Sequence, residues 1–363
     1  MWTREWPIVP VYATAALFFI FEQSLLGGIA SPWWAAFMLA WLFGVMLAAA
    51  FAVVRHSDCL AAIFGEPFGT LILTLAITVI EVLMITAVML SGPQVSVLAR
   101  DTMFGVIMIV FNGMAGLALL AGGLRYHEQT YNLQGANAFL AVILPLAMLG
   151  LVLPNFTSAP GGTLSVLHEI FLIVMSLALY GVFLAIQTLR HRHYFLDADG
   201  SVEEQVDFAR LDLRPAAWHG ALLILYIVPI VLLSKKIAVP IDYGVRVLGA
   251  PAALVGFLVA ALILAPESLA AVRAALANQM QRSINLLLGS VLASISLTIP
   301  VVLAIGMLAA RTVVLGLEPV DMLLLVLTLA MATLTFASGR TNILQGAVHL
   351  LLFCTYLVLI FDR

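Results

Sequence analysis

Two carboxylates stand where a carboxylate is expensive. Glu81 sits in the run LTLAITVIEVLMITAVML and Glu267 in LVAALILAPESLAAV. A charged side chain this deep in an apolar span costs several kcal/mol or more if it faces lipid, so such residues face the protein interior and mark ion pathways. Oxygen-bearing residues recur around them at helical spacing. Thr70, Thr74 and Thr78 follow one another at i, i+4 and i+8, with Glu81 three residues later, all on one helix face. Ser290, Ser294 and Thr298 repeat the same spacing, and Asn112 lies in another apolar run. A hard cation that sheds its water needs oxygen ligands of this kind, with carboxylates supplying the compensating charge. The same hydroxyls can instead bond their own i−4 carbonyls and join helices, and their types and spacing alone leave both roles open. Pro266 removes a backbone donor beside Glu267, so a helix broken at the carboxylate is expected there.

A buried carboxylate that loses its proton needs a cation in its place. Each glutamate would then hold either a proton or a share of a cation, which is the chemistry of exchange. A hydrolase would need a metal-His cluster or a nucleophile beside a base. The seven histidines, at 56, 127, 168, 191, 193, 219 and 349, fall almost entirely in loops or at span ends, and no His-Glu-x-x-His arrangement occurs. The chain does not read as an enzyme, and no cofactor is expected. His349 reads as a helix-packing histidine.

The elements that position these groups must be membrane helices. Of 363 residues 63% are apolar and only 10% are charged, with a mean hydropathy of +1.13. A soluble domain carries roughly 25% charge. The runs are apolar all round, so a transmembrane β-barrel is excluded. Net charge is −3, which gives no nucleic-acid partner. Cys59 and Cys354 are too few for a disulfide framework. Apolar runs at about 10–27, 34–54, 68–91, 103–122, 137–154, 165–188, 216–234, 247–272, 284–309, 320–337 and 343–361 give eleven spans. The fold expected is an all-α polytopic membrane protein.

The single long polar connection, 191–215, carries Asp197, Asp199, Glu203, Glu204, Asp207 and Asp212. It reads as a solvated linker or a cation-attracting segment. Setting the first span apart (1–33) leaves five spans in 34–190 and five in 216–363. An odd number per half forces the halves into opposite orientations, the inverted-repeat plan of many secondary transporters. Gly65-Glu66-Pro67 before Glu81 and Gly249-Ala250-Pro251 before Glu267 fit that plan. Placing the N-terminus inside puts ten Lys and Arg residues on the cytoplasmic face and six outside, so the expected topology is N-in and C-out across a bacterial inner membrane. A homo-oligomer is compatible with the sequence.

GEPFGTLILTLAITVIEV and APESLAAVRAALANQMQRSINLLLGSVLASISLTIPVVLAIG resemble the α-repeats of the calcium/cation antiporter superfamily. They are most similar to its calcium/proton exchanger branch and, within it, to bacterial ChaA-type cation/proton antiporters. GGLRYHEQTYNLQG is similar to that subgroup as well. The resemblance spans about Gly65 to Gly306. It implies a leading helix plus two inverted five-helix repeats and an essential glutamate in each repeat, falling on Glu81 and Glu267. Its polar helix positions fall on Thr78, Ser268, Asn112, Ser290 and Ser294, making these candidate ligands. The activity implied is antiport of an inorganic cation, Ca²⁺ first and Na⁺ or K⁺ as the alternative, against protons. Typical exchangers carry Gly-Asn-Ala before each glutamate, often with His after the second. This chain has Thr78-Val79-Ile80-Glu81 and Ala265-Pro266-Glu267-Ser268 instead, a departure that bears on ion choice.

Overall fold

The computed structural model describes residues 5–29, 31–64, 68–89, 96–196, 215–251 and 253–362. Within its helices the side chains at 61, 62, 68–71, 73, 74 and 87–89 lie outside that description. Thr70, Thr74, Glu66 and the acidic stretch 197–212 therefore cannot be placed.

Eleven long helices are present among the described residues: α1 (Ile8–Ile20), α2 (Pro32–Phe64), α3 (Phe68–Met89), α4 (Leu98–Tyr126), α5 (Leu133–Phe156), α6 (Val166–Arg190), α7 (Ala216–Arg246), α8 (Ala253–Leu276), α9 (Met280–Leu308), α10 (Pro319–Phe336) and α11 (Ile343–Phe361). The spans expected from hydropathy are all here, with α1 shorter than expected. Its 13 residues reach only about 20 Å before the chain turns at Phe21 into a short helical turn, Glu22–Leu25. The helices alternate in direction. Because each half has five, α2 runs toward the end of the bundle that carries the 191–215 linker, while its counterpart α7 runs away from it. The two halves thus run in opposite orientations.

Large apolar side chains cover the outside. Leu167, Ile224, Leu323 and Leu351 are each at least 63% exposed, an arrangement suited to lipid and not to water. Inside, two apolar clusters divide the bundle. One draws on α4, α5, α6, α9, α10 and α11. The other draws on α1, α2 and α7. The two glutamate helices belong to both. From α3, Ala76, Ile77, Ile80 and Met84 enter the second cluster and Ile85 the first. From α8, Val259, Leu262 and Ile263 enter the second and Ala260, Leu264, Ala271 and Ala275 the first. Glu81 and Glu267 therefore ride on the seam between two packed bodies.

Small residues allow the tight crossings of the first body, as in membrane bundles generally. A Cβ on Gly346 of α11 would fall 2.5 Å from the Leu120 amide nitrogen of α4, so only glycine permits that approach. At the linker end a two-residue ladder, β1 (Gln129–Thr130) against β2 (Arg340–Thr341), ties the α4–α5 connection to the α10–α11 connection. Gln129 Nε2 adds a 2.9 Å bond to the Ala275 carbonyl at the end of α8.

Among the described residues four helices contain π segments: Met108–Met114 in α4, Met148–Val152 in α5, Ile186–Arg190 in α6 and Ser294–Thr298 in α9. The break expected at Pro266 does not occur. α8 runs through Pro266 as a continuous helix, and the irregular backbone belongs to α4 and α9 beside it. The lost donor at a proline removes one bond from a helix held by its neighbours on both sides, which is tolerated in a packed bundle.

Candidate functional site

Glu81 lies past the middle of α3 and is fully buried, and Glu267 lies past the middle of α8 at 3% exposure. They come from different halves and meet at a third helix. On α9, Ser290 donates its hydroxyl to Glu267 Oε2, while Ser294 donates to Glu81 Oε2 at 2.6 Å. Residues four apart on a helix have Cβ atoms about 5–6 Å apart, so the two carboxylates are held within one turn of each other. Glu267 lies in the electrostatic field of Glu81. Glu81 Oε1 and the hydroxyls of Ser296 and Thr298 are buried and make no hydrogen bond among the described residues. Two neighbouring carboxylates, each accepting from a serine hydroxyl, make an oxygen-lined, charge-rich position in an otherwise apolar interior.

The local sequence explains the arrangement. Ser290 lies in the last turn of the regular α stretch, which ends at Ala293, and Ser294 opens the π segment, so the two serines stand on either side of the change in helical pitch. π-bulges are frequent at functional sites for such reasons. The counterpart helix α4 carries its own π segment. Counting from the first residue of each 29-residue helix, Asn112 and Ser294 hold the same position.

Their partners differ. Asn112 Nδ2 donates to Thr328 Oγ1 of α10 at 2.8 Å, and its Oδ1 meets His349 Nδ1 of α11 at 3.1 Å. His349 Nε2 in turn meets Thr335 Oγ1 at 3.0 Å. Because Asn112 presents an acceptor, Nδ1 of His349 carries the proton and Nε2 accepts from Thr335. His349 is thus a satisfied packing histidine.

The candidate ligands therefore separate. The structure brings together Glu81, Glu267, Ser290 and Ser294. Thr78 is buried on α3 one turn before Glu81. Ser268 bonds the Leu264 carbonyl of its own helix at 2.8 Å, the back-bonding alternative for a helical serine. Asn112 has both ends of its amide engaged between α10 and α11.

One group escaped notice in the sequence. Asp58, near the linker end of α2, lies within electrostatic reach of Glu267 and of Arg282 at the start of α9. It adds a third carboxylate to the field around Glu267. Its only sequence signal is being the sole acid in FAVVRHSDCLAAIF. Among the described residues, no three His, Cys, Asp or Glu side chains gather as a metal-holding group.

Inverted five-helix halves with a buried glutamate from each define a multi-pass membrane transporter of the cation-exchanger class. The sodium/calcium exchanger protein family matches residues 34–189 and 218–361, and the chain belongs to that family. It is similar to the protein y4hA of Sinorhizobium fredii, with 44% identity over 87% of this chain and 86% of the relative. It is also similar to the sodium-potassium/proton antiporter ChaA of Escherichia coli, with 39% identity over 98% and 95%. Among solved structures, YfkE superposes with a TM-score of 0.75, covering 98% of this chain and all of that one at 18% identity. That likeness concerns the fold.

Proposed function

We propose that the protein is a secondary cation/proton antiporter in which Glu81 and Glu267 hold either one cation or protons. The observation that carries this reading is the pair of serines one turn apart on α9, each engaging a glutamate from a different half. Two bare carboxylates this close, buried in an apolar bundle, repel one another and lack water, so the site cannot cross the membrane empty and ionised. A bound cation removes the penalty by neutralising both, and protons remove it by neutralising each. Competition between these two ways of paying down the same charge is the coupling. Alternating access follows from displacement between the two packed bodies, because the carboxylate helices lie between them.

Ca²⁺ is the cargo we assign first, because two carboxylates balance a divalent ion and their oxygens suit its irregular coordination. One observation favours a second reading. ChaA, which matches this chain almost end to end, is a sodium-potassium/proton antiporter, so Na⁺ or K⁺ on the same glutamates is the alternative cargo. Inside-out vesicles acidified by respiration, with a fluorescent pH dye, decide between them. Proton release on addition of Ca²⁺, absent in Glu81→Gln, supports the first; release with Na⁺ or K⁺ alone supports the second. Release that persists in Glu81→Gln would sink the site assignment.

A further inference from the structure

Glu81 has two carboxyl oxygens, and only one of them is engaged. Oε2 accepts from Ser294 at 2.6 Å. Oε1 is buried and meets no donor among the described residues. Thr298, one turn beyond Ser294 on α9, approaches the same carboxylate. Its hydroxyl is buried as well and completes no hydrogen bond among the described residues. A polar contact that falls short of a hydrogen bond is a place for a bridging water. A buried polar group left unsatisfied costs about 1–3 kcal/mol, and such groups are regularly met by protein or by an ordered water.

The backbone adds acceptors at the same level. Pro300 follows the π segment and has no N–H to give to the turn before it. The carbonyls of Ser294–Thr298 therefore have one amide donor fewer than a helix normally supplies. A buried water makes about three hydrogen bonds. A carboxylate oxygen, a hydroxyl and a carbonyl offer that number.

These partners suit a water in both states of Glu81. Ser294 donates to Oε2, so an acid proton resides on Oε1. With Glu81 ionised, the water donates to Oε1 and accepts from Thr298. With Glu81 protonated, Oε1–H donates to the water, and the water donates to Thr298. A hydroxyl both donates and accepts, so it serves either arrangement.

The surroundings of the two glutamates differ. α8 ends at the linker end, where the Ala275 carbonyl meets Gln129, so α9 starts there and Thr298 lies beyond Ser294 on the remote side. Glu267 has a further carboxylate in its field, Asp58, toward the linker end. Glu81 instead has a neutral hydroxyl toward the other end. A carboxylate attracts a cation, whereas a hydroxyl and a water relay a proton without adding charge.

We infer that Glu81 Oε1 and Thr298 bind a water that carries the exchanged proton to and from Glu81 on the side remote from the linker. The carrier role rests on the antiport reading; the water site does not. In the transfer, the Oε1–H bond breaks and its electron pair stays on the carboxylate. The water takes that proton and passes one of its own to the next water toward the remote end, so it is itself unchanged. The incoming cation then neutralises the carboxylate. Thr298 acts as a positioning residue, holding the water against Oε1.

Infrared difference spectra of the reconstituted full-length protein, recorded between alkaline and acid buffer, read the site without transport. Loss of a carboxyl band in Glu81→Gln marks the titration of Glu81. In the wild type, a water O–H band is expected to change together with that carboxyl band and to shift when the buffer is made with H₂¹⁸O. Thr298→Val should abolish the water band and leave the Glu81 carboxyl band in place at a shifted frequency. Thr298→Ser, which keeps the hydroxyl, should retain both, and Thr298→Ala replaces the valine variant should that one fail to fold. A wild type without such a water band, or a band that survives loss of the hydroxyl, overturns the site. In vesicles, Thr298→Val is expected to slow proton release several-fold more than it slows exchange of labelled Ca²⁺ or Na⁺ for the unlabelled ion. Equal slowing of the two makes Thr298 a ligand of the cation and overturns the proton role. A wild type that keeps its water band but exchanges no cation for protons counts against antiport and leaves the water site standing.

Discussion

Ser290 and Ser294 sit one turn apart on α9, yet their hydroxyls serve carboxylates from opposite halves of the protein. This bond pattern makes α9 the element that registers the two inverted repeats against each other. Ser294→Ala leaves Glu81 without its one described hydrogen bond, at a cost of about 1.4 kcal/mol. The expected outcome is a roughly tenfold rise in the cation concentration giving half-maximal exchange. Initial rates in vesicles across a cation series check it, with Ser268→Ala, whose hydroxyl bonds its own helix, as the variant expected to change little.

Replacing either glutamate removes a charge without removing its volume. Glu81→Gln and Glu267→Gln should each reduce exchange to the background of empty vesicles while leaving the protein folded and inserted. Proton release and protein recovery after detergent extraction, measured on the same preparations, separate loss of exchange from loss of fold.

Competition between protons and cation gives exchange a predictable pH response. If cation binding displaces protons from the carboxylates, the half-saturating cation concentration rises as pH falls. It rises about tenfold per pH unit for one displaced proton and up to about a hundredfold for two. The steeper slope fits a divalent cargo seated on both glutamates. A half-saturating concentration that does not move with pH would contradict exchange by competition.

The Asn112–His349–Thr335 chain is a matter of stability. His349→Ala strips two buried groups of a partner, and a buried polar group left unsatisfied costs about 1–3 kcal/mol. A lowered melting temperature is expected, measured by thermal unfolding in detergent. The larger effect is expected for Gly346→Val, whose new side chain meets the Leu120 backbone with no room to shift.

The eleven helices were legible because a bilayer demands long apolar runs, and the two glutamates because so few charges interrupt them. α1 was overextended because Phe21 and its neighbours are apolar enough to continue a span that the backbone ends. What escaped the sequence depends on contacts between distant residues. Ser294 and Glu81 are 213 positions apart, and nothing near either names the other. Asn112 has the composition of a ligand and, by helix position, matches Ser294, but His349 and Thr328 take its amide. The π segments escaped too, since an extra residue per turn changes no hydropathy. Pro266 misled in the opposite direction, because a proline announces a break that well-packed neighbours suppress.

The division of α3 and α8 between two apolar clusters has a mechanical consequence. In a machine whose working part sits far from its joint, motion must be relayed through intervening linkages, each of which loses some of it. Here the joint and the working part coincide. Any shear between the two bodies displaces the carboxylates directly, and any change in what the carboxylates hold alters the joint itself. Substitutions at Ile80, Ile85 or Ile263, which touch neither cargo nor water, lie at the bearing surface, and so are placed to change how fast the site turns over without changing what it binds.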